Sequence, residues 1–222
     1  MPTKFDELNK LKATDFESWE KLNDYVGFKR SMPFKEYFGE MGITKAEKRR
    51  RGVFAEKLEE EIIFLLAFLF YMKIRETGIQ DISEFTKKIS DEYIKAYGEE
   101  PDPYIIQRAE ALAIEIMLTT VRHNDDPYYY SADRARLIAE EEANTAINHA
   151  EYEASKSKFA FKTWNTMGDE RVRPTHVPLD GETVPINQPF QVGDSLMNYP
   201  RDASLGADMS EIVGCRCWLT FS

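Results

Sequence analysis

The sequence has few cysteines, no long apolar run and no excess of positive charge, and each shortage excludes a class of protein. Two cysteines occur in 222 residues, Cys215 and Cys217, and a disulfide between them would close a small strained ring. We therefore expect no disulfide framework and a reducing compartment. The longest apolar run, residues 62–72, is too short for a bilayer, which needs about 20 residues. The N-terminus has no apolar segment of the kind that signal peptides carry.

Negative charge predominates, with 39 Asp and Glu against 29 Lys and Arg and a net charge of -10. Non-specific duplex binding rests on cations that neutralise phosphates, so this balance argues against a protein that coats DNA. Cations at a helix N-terminus oppose the helix dipole, so a basic cluster there is expected to have a partner. That partner is nucleic acid, an acidic protein surface or acidic residues of this chain. The cluster, a candidate nucleic-acid contact, consists of Lys45, Lys48, Arg49, Arg50 and Arg51.

Residues 44–158 are predicted to form a helical body, preceded by an N-terminal arm with short helices in residues 1–43. Thr44 and Glu47 form a capping-box pattern before one long helix from Lys45 to about Thr77. The centre of this helix is apolar on all sides, so other helices or a partner subunit must enclose it. The further predicted helices are one that ends at Gly98, one capped by Asp102 with Pro103 in its first turn, and one from about Ser131 to about Lys158.

Residues 159–222 differ in composition, with many prolines and glycines between short β-type segments. The segments "FAFKTWNT", "TVPI" and "CRCWLTF" are predicted strands, and the Asp-Gly of "LDGE" is a hairpin signal. The predicted fold class is therefore α+β. A predominantly helical body with a long central helix precedes a small irregular α+β C-terminal module.

The C-terminal module contains residue types that serve as catalytic groups. His176 is a candidate base, and a carboxylate of Asp180, Asp169 or Glu170 is a candidate to orient it. The candidate nucleophiles are Cys215, Cys217 and Ser195. The alternative is structural: His176 hydrogen-bonds a turn, and Asp180 is the first residue of the Asp-Gly turn.

The same residues also suggest a structural zinc site. His176, Cys215 and Cys217 supply three ligands of the kind zinc prefers, and Asp180 or His149 is a candidate fourth. Against this, the spacing differs from that of paired C-x-x-C knuckles, and alternate side chains of an extended strand share a face without converging. The alternative is that both cysteines are small buried hydrophobic residues.

The stretch from Arg134 to Phe221 resembles the C-terminal domain of the phage Mu F-like head morphogenesis proteins. The resemblance rests on an Ile-Ala-x-x-Glu helix, an Arg-x-x-His-x-x-Leu-Asp-Gly motif, a Tyr-Pro-x-Asp turn and a closing Cys-Arg-Cys. It departs from the family pattern at Glu140 and Glu141, where Arg-Thr is usual, and at Gly214, where Asn is common. The matching residues are Trp164, Asp169, Arg173, His176, Leu179, Asp180, Gly181, Phe190, Tyr199, Pro200, Asp202, Cys215, Arg216 and Cys217.

The resemblance implies a non-enzymatic minor capsid protein of a tailed bacteriophage, located in the head interior at the portal vertex and in the host cytoplasm during assembly. The implied partner is the portal protein, with capsid or scaffold protein and DNA as further contacts and no membrane. The alternative is an enzyme or toxin-like effector delivered with the phage DNA, which uses His176 and the cysteine pair. A structural role is implied for the motif residues Trp164, Asp169, Arg173, Asp180, Gly181 and Arg216.

Overall fold

The computed structural model describes residues 19–24, 33–76, 82–97 and 100–222, and most of the predicted N-terminal arm lies outside these ranges. Residues 19–24 are helical. The helices that follow are α1 (Phe34–Tyr37), α2 (Lys45–Ile74), α3 (Ser83–Tyr97), α4 (Pro103–Arg122), α5 (Ala132–Ser155) and α6 (Met209–Ile212). The strands are β1 (Phe161–Asn165), β2 (Thr183–Pro185), β3 (Phe190–Val192), β4 (Ser195–Met197) and β5 (Trp218–Phe221). This arrangement confirms the α+β class and the long helix.

The starts of the helices follow the predicted caps. The backbone N–H of Thr44 donates to Glu47 Oε2 at 2.6 Å, and the N–H of Glu47 donates to Thr44 Oγ1 at 3.2 Å, so the capping box before α2 is confirmed. Asp102 caps α4 by accepting from the N–H of Ile105 at 3.0 Å. Helix ends for which the sequence offers no capping residue were predicted a few residues beyond where the helices end.

The C-terminal ends of α2 and α5 differ from the prediction by a few residues. Helix α2 ends at Ile74 instead of about Thr77, because Glu76 adopts a left-handed conformation with φ of 52°. Such a residue ends a helix in the way a glycine often does. Helix α5 ends at Ser155 instead of about Lys158.

The chain divides into two compact units. The helical unit contains Val53–Ala139 and the helical residues 19–24, and the mixed unit contains Pro33–Gly52 and Glu140–Ser222. The three sequence regions 1–43, 44–158 and 159–222 rest on composition and stay a prediction of domain organisation.

The apolar centre of α2 is buried inside the helical unit. Phe54 packs edge-on against Tyr93 of α3 with ring centroids 4.9 Å apart, and Phe68 lies 4.9 Å from the ring of Phe85, also in α3. Leu65 has no exposed surface. Neighbouring helices of this chain therefore cover most of this segment, as in one of the two arrangements expected for it, but Phe64 is 36% exposed. No described helix is long and apolar enough to cross a membrane.

The mixed unit contains two small antiparallel sheets. In the first, β1 lies between β2 and β5, with Lys162 opposite Val184 on one side and opposite Phe221 on the other. In the second, β3 and β4 form a hairpin whose two-residue turn is Gly193-Asp194. The predicted hairpin at Asp180-Gly181 is wrong, since that turn precedes β2, whose partner β1 lies far upstream.

Candidate functional site

Three of the predicted site residues converge in the core of the mixed unit. His176, Cys215 and Cys217 are all buried, and their donor atoms lie within 4.8 Å of one another. His176 Nδ1 is 3.7 Å from Cys215 Sγ and 3.5 Å from Cys217 Sγ. Both thiols are free of disulfide bonds. The two sulfurs and one ring nitrogen therefore face each other.

The two thiols converge because the Cys-Arg-Cys segment is not part of a strand. Strand β5 begins only at Trp218, so the predicted strand over "CRCWLTF" is wrong for its first three residues. Helix α6 ends just before them, Gly214 adopts φ of 73°, and the N–H of Cys215 donates to the carbonyl of Ile212 at 3.1 Å. This turn brings the side chains of Cys215 and Cys217 together, whereas in an extended strand they would point in the same direction without converging.

Contacts from several neighbouring groups hold the imidazole of His176 in place. Its backbone N–H donates to the carbonyl of Arg173 at 2.9 Å within a turn. Its ring packs edge-on against Trp164 with centroids 5.7 Å apart and an interplanar angle of 87°. Its second nitrogen, Nε2, lies 3.1 Å from Glu211 Oε2. Since a carboxylate accepts hydrogen bonds only, Nε2 carries the proton and Nδ1 presents its lone pair to the sulfurs.

Glu211 is the residue of this site that the sequence analysis missed. It lies in α6, three residues after the cap Asp208, a spacing typical of a capping box. Its carboxylate instead accepts from Thr175 Oγ1 at 2.8 Å and from His176. A Glu at the third position of a short capped turn was the available signal, but only the fold shows that it faces a histidine 35 residues away.

The environment of the two thiols separates their pKa values. The pKa of the Cys215 thiol lies well below its usual value, chiefly because the Cys217 thiol donates a hydrogen bond to the Cys215 thiolate, and in spite of burial. The same hydrogen bond, together with burial, raises the pKa of the Cys217 thiol, whereas the Trp164 indole and Arg173 act in the opposite direction. One thiol of the pair is therefore much more readily ionised than the other.

The other predicted catalytic partners lie elsewhere in the mixed unit. Asp180 Oδ1 accepts from the backbone N–H of Thr166 at 2.7 Å, so it holds a turn, as its structural alternative predicted. Asp169 pairs with Arg216, with Oδ1 and Oδ2 at 2.6 and 2.8 Å from Nη2. Glu170 is exposed. Neither Asp180 nor Asp169 orients His176, because Glu211 does so.

Two further candidates are engaged in other contacts. Ser195 Oγ accepts from the backbone N–H of Asp208 at 3.0 Å, so it is not the nucleophile of a His176 pair. His149 Nδ1 lies 2.9 Å from the hydroxyl of Tyr199. In the part of the chain that the structure describes, neither His149 nor Asp180 belongs to the ligand group of His176, so the prediction of either as a fourth ligand is wrong.

The motif residues support the turns around the site. Trp164 is fully buried and contacts the ring of Phe190 edge-on at 5.2 Å. The Asp169 carboxylate and the Arg216 guanidinium join two loops, and the hydrogen bond from Arg216 lowers the pKa of Asp169. Arg173 Nη2 donates to the carbonyl of Val213, immediately before Gly214.

The departures from the family pattern contact each other. Glu141 Oε1 accepts from the N–H of Gly214 at 2.7 Å, and Glu141 Oε2 lies 3.4 Å from Arg201 Nη2. A carboxylate on α5 thus holds the turn that carries Cys215.

The basic cluster at the start of α2 divides into two groups. Arg51 is fully buried: its guanidinium donates to both carboxylate oxygens of Glu151 at 3.2 Å and to Asn148 Oδ1 at 2.9 Å. It is therefore occupied by an acidic residue of this chain and is not available to a phosphate. Lys45 and Arg49 are exposed, whereas Lys48 and Arg50 are half-buried. A nucleic-acid contact by these four residues stays a prediction.

A small cavity opens beside the thiols. It is lined by Arg173, His176, Cys215 and Cys217 among others and holds ~10 Å³, about the room that one water molecule needs. The thiols are otherwise enclosed, with Cys215 2% and Cys217 4% exposed. The arrangement has room for an ion or a water molecule beside the sulfurs.

Comparison with known families identifies the chain. The family described as Phage Mu protein F like protein matches residues 80–220, well over half of the 222 residues. This range contains α3 to α6, all five strands and every residue of the His176 cluster. No curated protein and no solved structure matches the chain. The chain belongs to the family of proteins that are like protein F of phage Mu.

Proposed function

We propose that this protein is a minor head protein that associates with the portal inside the head of a tailed phage and assists head assembly and DNA packaging or delivery. Membership of the Mu F-like family supports a role as a phage head morphogenesis protein and a location in the virion. The portal contact and the role in packaging go beyond the family and rest on the surface of the helical unit.

An exposed apolar stripe on α4 is the observation that carries the proposal. Ile114 is 45% exposed, Leu118 55% and Val121 43%. Positions separated by three and four residues lie on the same face of a helix, so these three side chains form one continuous row. Large apolar side chains clustered on a surface are typical of protein–protein contacts. The stripe supports a protein partner for the helical unit.

The His176 cluster supports a structural role more than an enzymatic one. A thiol, His176 and Glu211 do follow one another as a nucleophile, a base and an orienting carboxylate would, which is the observation in favour of an effector enzyme. Reactive cysteines, however, are usually partly exposed. Here both thiols are buried beside a cavity of ~10 Å³, which argues against the approach of a substrate carbonyl to either sulfur.

A dedicated DNA-binding role is not part of the proposal. The net charge is -10, and the buried Arg51 is paired with Glu151. Exposed Lys45 and Arg49 are too few for the many phosphate contacts on which non-specific binding depends. Any contact with the packaged genome is expected to be local and weak.

The test is a pull-down of the tagged full-length chain with the portal ring of the same phage. The variant Leu118→Asp introduces a charge in the apolar stripe. Leu205→Asp is the matched control, because Leu205 is a similarly exposed leucine, at 47%, in the mixed unit. We expect the wild type and the Leu205→Asp variant to bind the portal and the Leu118→Asp variant to lose at least about tenfold in affinity.

Mass spectrometry of purified virions tests the same proposal in the particle. We expect the protein at a low, fixed copy number that falls to background for Leu118→Asp. Absence of the wild type from virions, together with no portal binding, would overturn the proposal. Binding to capsid or scaffold protein but not to the portal would also refute the portal contact. Hydrolytic turnover that disappears with Cys215→Ser would support the effector enzyme instead.

A further inference from the structure

We propose that His176, Cys215 and Cys217 bind one zinc ion through the histidine Nδ1 and both thiolates. This proposal does not depend on the portal contact, because it concerns the core of the mixed unit and is tested on the isolated protein. Thiolate sulfur and imidazole nitrogen are the donors that zinc prefers among the abundant divalent ions.

The nitrogen-to-sulfur distances already match those of a zinc site, and the two sulfurs lie within 4.8 Å of each other. A tetrahedral ion with Zn–S of about 2.3 Å and Zn–N of about 2.05 Å holds its sulfur and nitrogen about 3.6 Å apart. The measured distances from His176 Nδ1 to the two sulfurs are 3.7 and 3.5 Å. An ion can therefore bind among the three atoms with little movement of the backbone.

Glu211 supplies the outer contact that a zinc-bound histidine usually has. Metal-ligating histidines commonly donate their second N–H to a carboxylate, which fixes the tautomer and the ring orientation. His176 Nε2 makes this contact with Glu211 Oε2 at 3.1 Å, and Thr175 Oγ1 holds the same oxygen at 2.8 Å. The ring is thereby fixed with Nδ1 as the free donor, facing both sulfurs.

The fold leaves space for that carboxylate. A Cβ atom added at Gly193 would lie 2.9 Å from Glu211 Oε1 and 3.1 Å from Thr175 Cγ2. Gly193 also has φ of 58° in the β3–β4 turn, where a side chain is strained. Three separate segments of the mixed unit, the His176 turn, the β3–β4 turn and α6, thus meet around the Glu211–His176 pair.

The net charge of the site and its coordination number are also consistent with a zinc ion. Binding forms two Zn–S bonds and one Zn–N bond and releases the thiol protons to solvent, so a Zn²⁺ ion with two thiolates is neutral, as a buried site requires. A fourth ligand is needed for tetrahedral zinc. The adjoining ~10 Å³ cavity has room for one water molecule in that position. Trp164 Nε1 is buried and has no hydrogen-bond partner among the described residues.

The first test uses the reduced full-length chain without substitutions. Elemental analysis after expression with Zn²⁺ and gel filtration should give about one zinc per chain. After removal of zinc by a chelator, Co²⁺ should bind with the same stoichiometry and produce thiolate-to-metal charge transfer and the visible bands of a tetrahedral site. Folded, reduced protein that retains no zinc and gives no such bands with Co²⁺ would overturn the proposal.

Variants then identify the ligands. Cys217→Ser and His176→Gln should each lose stoichiometric zinc, whereas His149→Gln, the matched control at another buried histidine, should keep it. Glu211→Gln leaves the ligands intact and should weaken zinc binding by about 10–100-fold, as loss of an outer-shell partner usually does. Full zinc retention by a Cys215→Ser/Cys217→Ser double variant would place the ion elsewhere and refute the site.

Discussion

In the helical unit the fully buried large side chains are apolar or aromatic, among them Phe54, Leu65 and Tyr93, whereas the mixed unit buries Arg51 and Lys162 just as completely. In the helical unit, one apolar side chain can replace another of similar size, because hydrophobic burial has no preferred direction. A buried cation must meet its own acceptor at the correct distance and angle. Arg134 of the helical unit, 6% exposed, also meets its own acceptors, Thr120 Oγ1 and the carbonyl of Tyr129. Individual polar pairs therefore contribute to both units, but among the described residues the completely buried cations lie in the mixed unit.

The polar pairs of the mixed unit connect segments that are far apart in sequence. Arg51 meets Glu151, and Arg201 donates from Nε to Thr145 Oγ1 at 2.8 Å and from Nη1 to the carbonyl of Ile212 at 3.0 Å. Each contact joins a helix to a loop or to another helix within the unit. In a module with so little regular structure, such pairs supply the specificity that a small apolar core cannot.

The largest effect is expected from Arg51→Met. This change leaves Glu151 partly buried without its counter-charge, and breaking such a pair typically costs about 3–5 kcal/mol in the free energy of unfolding. Burial already raises the pKa of Glu151, against the effect of Arg51. Urea denaturation, followed by probes in each unit, measures the loss.

The helical unit offers a matched control, the pair of Arg136 with Glu59. Its carboxylate is as buried as that of Glu151, with 15% against 14% of the side chain exposed, but the arginine is 23% exposed instead of 0%. A partly exposed pair contributes about 1 kcal/mol or less, so Arg136→Met is expected to cost little. Equal losses for Arg51→Met and Arg136→Met would break the comparison between the units.

The second effect concerns the apolar core of the helical unit. Leu65 is fully buried, and truncation to alanine is expected to cost about 3 kcal/mol through lost transfer energy and the remaining cavity. Leu65→Met, which nearly conserves volume, should cost less than about 1.5 kcal/mol. Thermal and urea unfolding of both variants measures the difference. If the methionine variant were as unstable as the alanine variant, packing in this unit would be as specific as the polar pairs.

A third, smaller effect is expected at the β3–β4 turn. Gly193→Ala adds strain at a positive φ and a Cβ that displaces Glu211, and we expect a loss of about 2 kcal/mol. Gly206→Ala is the control, because Gly206 has φ of 76° and no described atom within 4 Å of an added Cβ. The Gly206→Ala variant isolates the cost of placing an alanine at a positive φ, which we expect to be about 1 kcal/mol. Identical losses would show that Glu211 moves aside freely.

The difference between the units also explains what the sequence predicts. The beginnings of α2 and α4 were predicted correctly because Thr44 and Asp102 act on backbone groups within three residues. The end of α2 was not, since Glu76 adopts a left-handed conformation that is rare without glycine. Strands β3 and β4, three residues each, were not predicted, whereas β2, which is equally short, was predicted from the segment "TVPI".

The candidate site was also predicted only in part, because the sequence shows residue types but not the contacts between distant segments. His176, Cys215 and Cys217 were recognised as a set because their residue types share a chemistry, even though a strand was expected to keep the thiols from converging. Glu211 was missed because its role depends on a contact with a distant turn. The sequence did not predict the burial of Arg51, for the same reason. A basic cluster shows that its cations need acceptors, but it does not show which acceptor each cation contacts.

The pH dependence that Lys162 contributes is small near neutral pH, yet this residue gives the sharpest test of a buried cation. Its Nζ donates to the carbonyl of Asn198 at 2.7 Å and lies 4.6 Å from the ring centroid of Tyr152. Burial lowers the pKa of Lys162 to about 8, in spite of the favourable charge of Asp202, and Lys156 adds to the lowering. The charged form therefore still predominates in the fold at neutral pH, but by a smaller margin than for an exposed lysine.

The sign of the pH dependence follows from proton binding. Above about pH 8 the folded state has lost the Lys162 proton, while the unfolded state keeps it up to the usual lysine pKa, so the unfolded state binds more protons and stability should rise with pH. The slope from this residue is at most about 1.4 kcal/mol per pH unit. Lys162→Met removes the titrating group while other groups remain, so the difference in unfolding free energy between wild type and variant, measured from pH 7 to 10, isolates it. Parallel curves would mean that Lys162 stays charged in the fold and that its carbonyl and aromatic contacts compensate fully for its burial.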